Sequence, residues 1–446
     1  MPIYDIYLIL PLCAALAAAA PAGAQDKANE EGGNRPSVES ASKKVAADKL
    51  TLDEAIGRAL AQSPRLQAFR SAVAAAKAER RQAGARQNPE VSFSKENFRA
   101  GAAYKVISPA QNVYGVSQLV EIGGKISARQ DVADKGVEIA GLEHQAAALD
   151  LIRDVTVAYA EAVAAEQSVR LAGEQKALAE DVLKSVSTRV DAAAAPLIQK
   201  ARADVEREAA SVALDTAKRR RDITRKRLAV LLGEDKDNFA IDGESFFALS
   251  KPDEEAAVEK LTSGPDMLRL NSLEEQARSR YDLERANAIP DPRISAGLTR
   301  IPSAKDQALL VGVSLPIPVL NANRGNIERA RTEVSRTEQE NRNASLSLAA
   351  DLNTAEQLLE NAYLQASTFK NKILPSAQKA FALAREGYEL GRFPYLEVLD
   401  AQRRLFEVKQ QHIAALKDYH TARAIVERLT AAHLPKLTTT GETDGE

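Results

Sequence analysis

The sequence predicts a mainly α protein with a small β part, built from two copies of one unit, and three observations carry that prediction. The chain repeats itself: Asn88-Pro89-Glu90-Val91-Ser92 returns as Asp291-Pro292-Arg293-Ile294-Ser295, and Gly115-Val116-Ser117 returns as Gly312-Val313-Ser314. Pro196, with Arg202-Ala203-Asp204 behind it, returns as Pro394, with Asp400-Ala401-Gln402 behind it. The offsets are 203, 197 and 198, and near-constancy of this kind marks a duplicated supersecondary unit. Ala and long charged residues dominate 125–235 and 325–432, while aromatics make up 4% of the 446 residues and Trp is absent. That composition suits long packed helices rather than a thick globular core. Short segments of alternating polarity stand just before each helical stretch, which is the period of strands.

Taken in order, residues 1–24 read as an export signal: Ile6 to Ala20 is apolar, and Ala22-Gly23-Ala24 supplies small residues before Gln25. Residues 25–48 are polar and irregular, the expected flexible lead. The first structural repeat is expected over 49–233. A helix starts after Thr51, with Leu52, Ala55, Ile56, Ala59 and Leu60 at helical spacing, and a second follows Ser63-Pro64 until Asn88-Pro89 breaks it. Strands are expected at about 90–97 and 111–121, a long helix at 125–190 and a return helix at 197–232. An acidic spacer, 234–264, separates the halves. The second repeat, 265–432, carries strands at about 292–301 and 307–316, a long helix at 325–390 and a return helix at 395–432. The tail 433–446 reads as disordered.

Each long helix holds 66 residues, about 100 Å at 1.5 Å per residue. The second shows an apolar stripe from Leu352 through Ala355, Leu359, Ala362, Ala366, Phe369, Ile373, Ala377 and Ala380 to Ala384. Its mean step of 3.56 residues lies between a coiled-coil seam and a straight helix. Pro375 is expected to bend this helix. Tight turns close the far ends, Asp191 to Pro196 and Gly391-Arg392-Phe393-Pro394. The alternating strands are about as long as a membrane barrel needs, but four strands close no useful barrel alone, and several chains would have to contribute.

Chemistry is sparse. Net charge is −2, which gives no electrostatic case for nucleic acid. Cys13 is the single cysteine and excludes an intrachain disulfide. His412 and His420 sit two turns apart on one helix and read as surface or seam residues rather than a metal site, and His144 and His433 suggest no site either. Gly123-Gly124-Lys125 lacks the earlier glycine of a phosphate loop and reads as a strand-to-helix switch, as does Asn323-Arg324-Gly325. No cofactor is expected and no catalytic constellation is present. Glu397 and Asp400, at i and i+3 in the first turns of the return helix beside the Gly391–Pro394 turn, stand out. They either favour the helix dipole, with Asp400 paired to Arg404 at i+4, or are multiplied around a symmetry axis into a cation-selecting ring.

From about Lys49 to Ala432 the chain resembles the TolC family of outer-membrane efflux ducts. The motifs are Leu50-Thr51-Leu52-Asp53-Glu54-Ala55-Ile56; Asn88-Pro89-Glu90-Val91; Val120-Glu121-Ile122-Gly123-Gly124-Lys125; Leu315-Pro316-Ile317-Pro318-Val319-Leu320-Asn321-Ala322-Asn323-Arg324-Gly325; and Tyr388-Glu389-Leu390-Gly391 followed by Leu396-Glu397-Val398-Leu399-Asp400-Ala401-Gln402-Arg403. The glycine-rich and proline-rich members of this set are most similar to the cobalt–zinc–cadmium resistance branch. The resemblance implies a homotrimer. Each chain would give four strands to one twelve-stranded outer-membrane β-barrel in contact with outer-membrane lipid, and its duplicated helical hairpins to a periplasmic α-barrel. A periplasmic adaptor (membrane fusion) protein and an inner-membrane RND-type pump, driven by protons, would be the partners. The family's acidic periplasmic aperture maps onto Glu397 and Asp400, and its tip tyrosine onto Tyr388. The first-half acidic partner of that tyrosine is replaced here by Leu197, and the tip arginine is displaced to Arg392. The expected function is a passive exit duct for divalent heavy-metal cations, not an enzyme. The alternatives are a duct for organic compounds and a soluble periplasmic coiled-coil scaffold.

Overall fold

The computed structural model describes residues 49–97, 110–252 and 257–433. The expected signal 1–24, the lead 25–48 and the tail beyond His433 lie outside the described residues. The first half runs α1 (Leu52–Gln62), α2 (Pro64–Ala83), β1 (Glu90–Glu96), β2 (Gln111–Leu119), α3 (Lys125–Asp191) and α4 (Leu197–Leu232). A short 3-10 turn (Ser245–Phe247) and α5 (Ala257–Thr262) lie between the halves. The second half runs α6 (Pro265–Asn287), β3 (Arg293–Ile301), β4 (Asp306–Ser314), α7 (Arg324–Thr368), α8 (Leu374–Glu389) and α9 (Tyr395–Leu429).

The helix ends follow from local chemistry. The Thr51 hydroxyl accepts from the Glu54 amide at 3.3 Å and caps α1. Pro64 and Pro265 open α2 and α6, where a missing N–H costs nothing. Backbone at positive φ recurs at matching places. Ala193 (φ 55) and Gly391 (φ 71) make the two tip turns, 198 residues apart, and Gly233 (φ 77) and Ala431 (φ 49) end the two return helices at the same offset. The duplication is therefore kept in backbone conformation where the glycine itself has been lost. Gly124 (φ 76) and Asn323 (φ 57) likewise open the two long helices, so both motifs are strand-to-helix switches.

α3 is one uninterrupted helix of 67 residues. Its counterpart is not: a five-residue π segment, Phe369–Ile373, joins α7 to α8. Pro375 lacks an N–H, and its ring crowds the carbonyl four residues back, so the chain widens by one turn of longer hydrogen bonds just before it. The sequence predicts a bend at Pro375; the structure shows a π segment immediately before it. Leu352, Ala355, Leu359, Ala362, Ala366 and Ala384 of the stripe are buried, Phe369, Ile373 and Ala377 are half-buried, and Ala380 is exposed.

α3 packs against α4, α2, α6 and α9, and α9 against α7 and α8. The end of α4 meets the junction of α1 and α2: a side chain at Gly233 would lie 3.2 Å from the carbonyl of Gln62, the last residue of α1. The end of α9 meets the start of α6, where a side chain at Gly264 would lie 3.8 Å from the Leu429 carbonyl. Each half thus sets one long helix beside two shorter ones laid end to end. Midway along, the spacer crosses the helices and fills the main core. Leu50 pairs with Ile241 in a parallel bridge. The single Tyr159 hydroxyl proton is shared between the carbonyls of Leu50 (2.9 Å) and Asp242 (2.6 Å). Phe239 and Phe246 are buried there with Leu228, Leu232 and Leu416.

The four strands form one antiparallel sheet in sequence order, β1-β2-β3-β4. Register sets Val91, Val116, Ala296 and Val311 in one row and Phe93, Tyr114, Leu298 and Leu309 in the next. One face is therefore apolar across all four strands, and it is bare: Val91 is 84% exposed and Leu309 76%. The next row on that face, Lys95, Asn112, Arg300 and Gln307, is polar. Among the described residues nothing pairs with the outer edges of β1 and β4. A four-stranded sheet with a naked apolar face and two open edges is not a finished structure in water.

Below the sheet, Lys125 is buried, and its Nζ meets Asp291 at 2.6 Å. Asp291 also accepts from the Ile122 amide at 3.0 Å. Glu121 takes both Nη atoms of Arg129. Ile289 fills the space where Gly123 would carry a side chain. The Glu121–Lys125 motif thus locks the end of the first hairpin onto the beginning of the second.

Candidate functional site at the helical tip

The far end of the helices holds the sequence-selected residues Tyr388, Glu397 and Asp400. The second turn is closed by the Arg392 and Phe393 amides, which donate to the Gly387 carbonyl at 2.7 and 3.1 Å. This helix-ending motif needs the left-handed residue that Gly391 supplies. The Phe393 ring folds back over Gly387 and occupies the place of a side chain there. Pro394 is extended and starts α9.

Tyr388 and Glu397/Asp400 are separated by environment. Tyr388 is half-buried, its ring 5.9 Å from that of Tyr395, with the Arg189 guanidinium 4.8 Å above its face. Its hydroxyl is buried without a hydrogen-bond partner. Tyr395 is buried against Val186, Ala203 and Leu399, and burial, then the nearby Glu206 carboxylate, push its hydroxyl pKa up. Glu206 of α4 pairs with Arg403 of α9, so an ion pair and an aromatic cluster tie the two hairpin tips together. Glu397 and Asp400 stand exposed on the other side of α9. The pairing expected between Asp400 and Arg404 does not form, because Arg404 turns down the helix to Glu407 at 2.8 Å. Asp400 instead acts through space on Arg403. Glu397 borders a shallow groove with Ala380, Leu383 and Phe393. At the 198 offset these two acids face Gln199 and Arg202, so the acidic pair belongs to one half only.

Arg189, Tyr395 and the Glu206–Arg403 clasp were not selected from sequence. The signal was there: two tyrosines seven apart flank the Gly391 turn, a spacing that brings them together once the turn is closed. The histidines form no constellation. His412 is buried beside Phe247, and His420 stacks on Phe246 with Nε2 2.9 Å from its carbonyl. Among the described residues no three His, Cys, Asp or Glu side chains gather as for a metal ion, and no helix is long and apolar enough to cross a membrane.

Known proteins match this architecture. CzcC, a cobalt-zinc-cadmium resistance protein of Cupriavidus metallidurans, is 28% identical over 385 residues, covering 86% of this chain and 90% of its own length. NccC, a nickel-cobalt-cadmium resistance protein of Alcaligenes xylosoxydans xylosoxydans, is 29% identical over 279 residues, 62% of this chain and 63% of its own. Among solved structures, CusC superimposes with a TM-score of 0.73 at 18% identity over 86% of this chain and 92% of its own. VceC of Vibrio cholerae gives 0.72 at 16% identity over 85% and 95%. The family model described as outer membrane efflux protein matches residues 55–234 and 257–442, both halves of the repeat. The chain belongs to the outer membrane efflux protein family.

Proposed function

We propose that this chain is the outer-membrane exit duct of a tripartite efflux system and that it conducts divalent heavy-metal cations passively. Three copies would close the sheet into a twelve-stranded barrel and the helices into a periplasmic tube. A periplasmic adaptor would join the tube to an inner-membrane RND-type pump, which supplies the energy, and the chain itself would catalyse nothing. The observation that carries the reading is the open sheet: an apolar face bare across four strands, with two edges unpaired among the described residues, at one end of two helical runs ~100 Å long. Lipid satisfies such a face and further copies of the chain satisfy the edges. The metal assignment is supported by the relatives named for cobalt, zinc, nickel and cadmium resistance.

Glu397 and Asp400 are proposed to line the periplasmic mouth, with Tyr388 packed behind them. Three copies of the pair would set six carboxylates around the opening, an arrangement that favours cations. Replacing both by Ala in the reconstituted pore is expected to lower cation over anion selectivity; unchanged selectivity would reduce them to helix-start residues. For the substrate, deleting the gene is expected to lower tolerance to zinc, cobalt, cadmium or copper. Tolerance unchanged for every one of these metals would sink the metal assignment.

A further inference from the structure

The two faces of the sheet are sorted by charge at the end remote from the helices. Register places Lys95, Asn112, Arg300 and Gln307 in one row there, on the face that carries the bare apolar rows. The carboxylates of the four strands are Glu90, Glu96 and Asp306, and alternation puts all three on the opposite face. On that face Glu90 pairs with Arg293 at 2.6 Å, and Glu96 accepts from the Gln111 side chain at 2.8 Å. Lys95 and Arg300 are exposed, and among the described residues neither has an ion-pair partner.

The adjoining row marks a boundary. Phe93 and Tyr114 lie one row in from Lys95 and Asn112, with ring centroids 5.1 Å apart. Exposed aromatics between an apolar field and a polar row are the pattern of a barrel wall at the level of lipid headgroups. The strands join the helices at the Glu90, Leu119, Arg293 and Ser314 ends, whereas Arg300 and Gln307 stand beside the Ile301–Asp306 pair that closes the second hairpin. With the helices in the periplasm, the cationic row therefore meets the outer leaflet. Lys95 and Arg300 are two strand spacings apart, roughly 10 Å. Asn112 lies between them and Gln307 beside Arg300, so amide donors fill the rest of the row. An ammonium and a guanidinium fork at that separation match a headgroup that carries more than one phosphate.

We infer that Lys95 and Arg300, with Asn112 and Gln307, form a docking row for the phosphate groups of an outer-leaflet glycolipid. The occupant is a lipid rather than a free anion because the row runs straight into the bare apolar face, where Leu309 is 76% exposed and Val311 74%, and acyl chains cover that face. The same alternation keeps fixed positive charge at this end off the lumen side, where Glu96 and Asp306 stand. The inference rests on the duct reading, which supplies the leaflet.

Native mass spectrometry of the full-length protein in detergent tests it. The probe is an acylated diglucosamine lipid carrying two phosphates, and the reference is the same lipid dephosphorylated. Each cation at a membrane surface contributes about fivefold in affinity for anionic lipid, so the pair should favour the phosphorylated probe by roughly thirtyfold. Lys95→Gln/Arg300→Gln should lower that preference to under about threefold. Glu96→Gln, at the same end on the opposite face, should leave it intact. Should the double variant fail to assemble, the parent's own preference, weakened by added salt, decides. A parent that binds both lipids equally overturns the inference, and so does a preference that survives the double substitution. Displacement of the probe by an equal concentration of inorganic phosphate would mean an anion site without lipid specificity, and would also overturn it. Any of these results from a trimer extracted from the outer membrane leaves the duct reading standing. Recovery of the parent from the soluble periplasm would overturn both.

Discussion

Lys125→Met, which keeps the apolar stem and removes the charge, isolates the lock between the two halves. The Lys125 side chain is 8% exposed and that of Asp291 15%, with 2.6 Å between the charged atoms. Asp291 keeps one further donor, the Ile122 amide at 3.0 Å. Removing the cation leaves a nearly buried carboxylate with a single hydrogen bond, and losses of this kind run to about 3–5 kcal/mol. With about 2.1 cal/mol/K per residue of unfolding entropy, a chain of this length melts roughly 1 °C lower per kcal/mol, so the variant should melt about 3–5 °C below the parent. The double variant Lys125→Met/Asp291→Asn keeps an acceptor for Ile122 and removes both charges. It should recover most of the loss, because a buried pair contributes little beyond its own desolvation. Thermal melting of the detergent-purified protein, followed by circular dichroism, reads both. A Lys125→Met shift under about 1 °C, the size of a solvated surface pair, would refute the argument.

Three further outcomes are expected. Burial depresses the pKa values of His144, His412 and His420, with Arg70, Lys370 and Arg423 respectively adding to the effect, while the Phe246 carbonyl and Glu427 partly oppose it at His420. The fold holds these rings neutral, and the unfolded chain protonates them near their ordinary value, so stability should fall as pH drops below about 6.5; a His412→Asn/His420→Asn variant whose melting has the same pH slope between pH 7 and 5 would contradict this. Hydrogen bonds to Glu275 and then Glu138 push the Lys135 pKa up to about 12. The contribution of this α3–α6 clamp should be complete below pH 10.5 and lost as pH rises through 12, and Lys135→Met should flatten that alkaline limb of the melting profile. Gly391→Ala meets no neighbouring atom within 4 Å, so its cost is only that of left-handed backbone, about 1 kcal/mol, read as faster proteolysis at the tip; Ala193→Gly, relieving the same conformation in the first half, should be close to neutral.

The duplication, the strand period and the helical punctuation were legible because each is local. Proline at the start of α2 and α6, and glycine at the ends, act on their own turns. The four strand segments were legible from alternation alone, whereas their order and the two outer edges were not. What escaped depends on residues far apart in the chain. Nothing near Lys125 announces Asp291, which lies 166 positions away. Ala193 hides a turn that Gly391 advertises, because backbone context holds a non-glycine residue at positive φ. Arg404 had acidic residues within reach in both directions along its helix, and the choice of Glu407 over Asp400 is a rotamer outcome that spacing does not decide. Tyr388, Glu397 and Asp400 were found together at one turn, but their division between a buried aromatic cluster and an exposed acidic face required the packing of α9 on α3 and α4.

Among the described residues the sheet ends on two unpaired edges, and the proposed duct requires further copies of the chain to close it. The direct measurement is the mass of the assembly extracted in detergent from outer-membrane fractions, determined by light scattering with the detergent contribution subtracted. The account predicts an outer-membrane species of three times the mature chain mass, resistant to dissociation until heated. A single chain recovered from the soluble periplasmic fraction, with β1 and β4 unpaired, would contradict it.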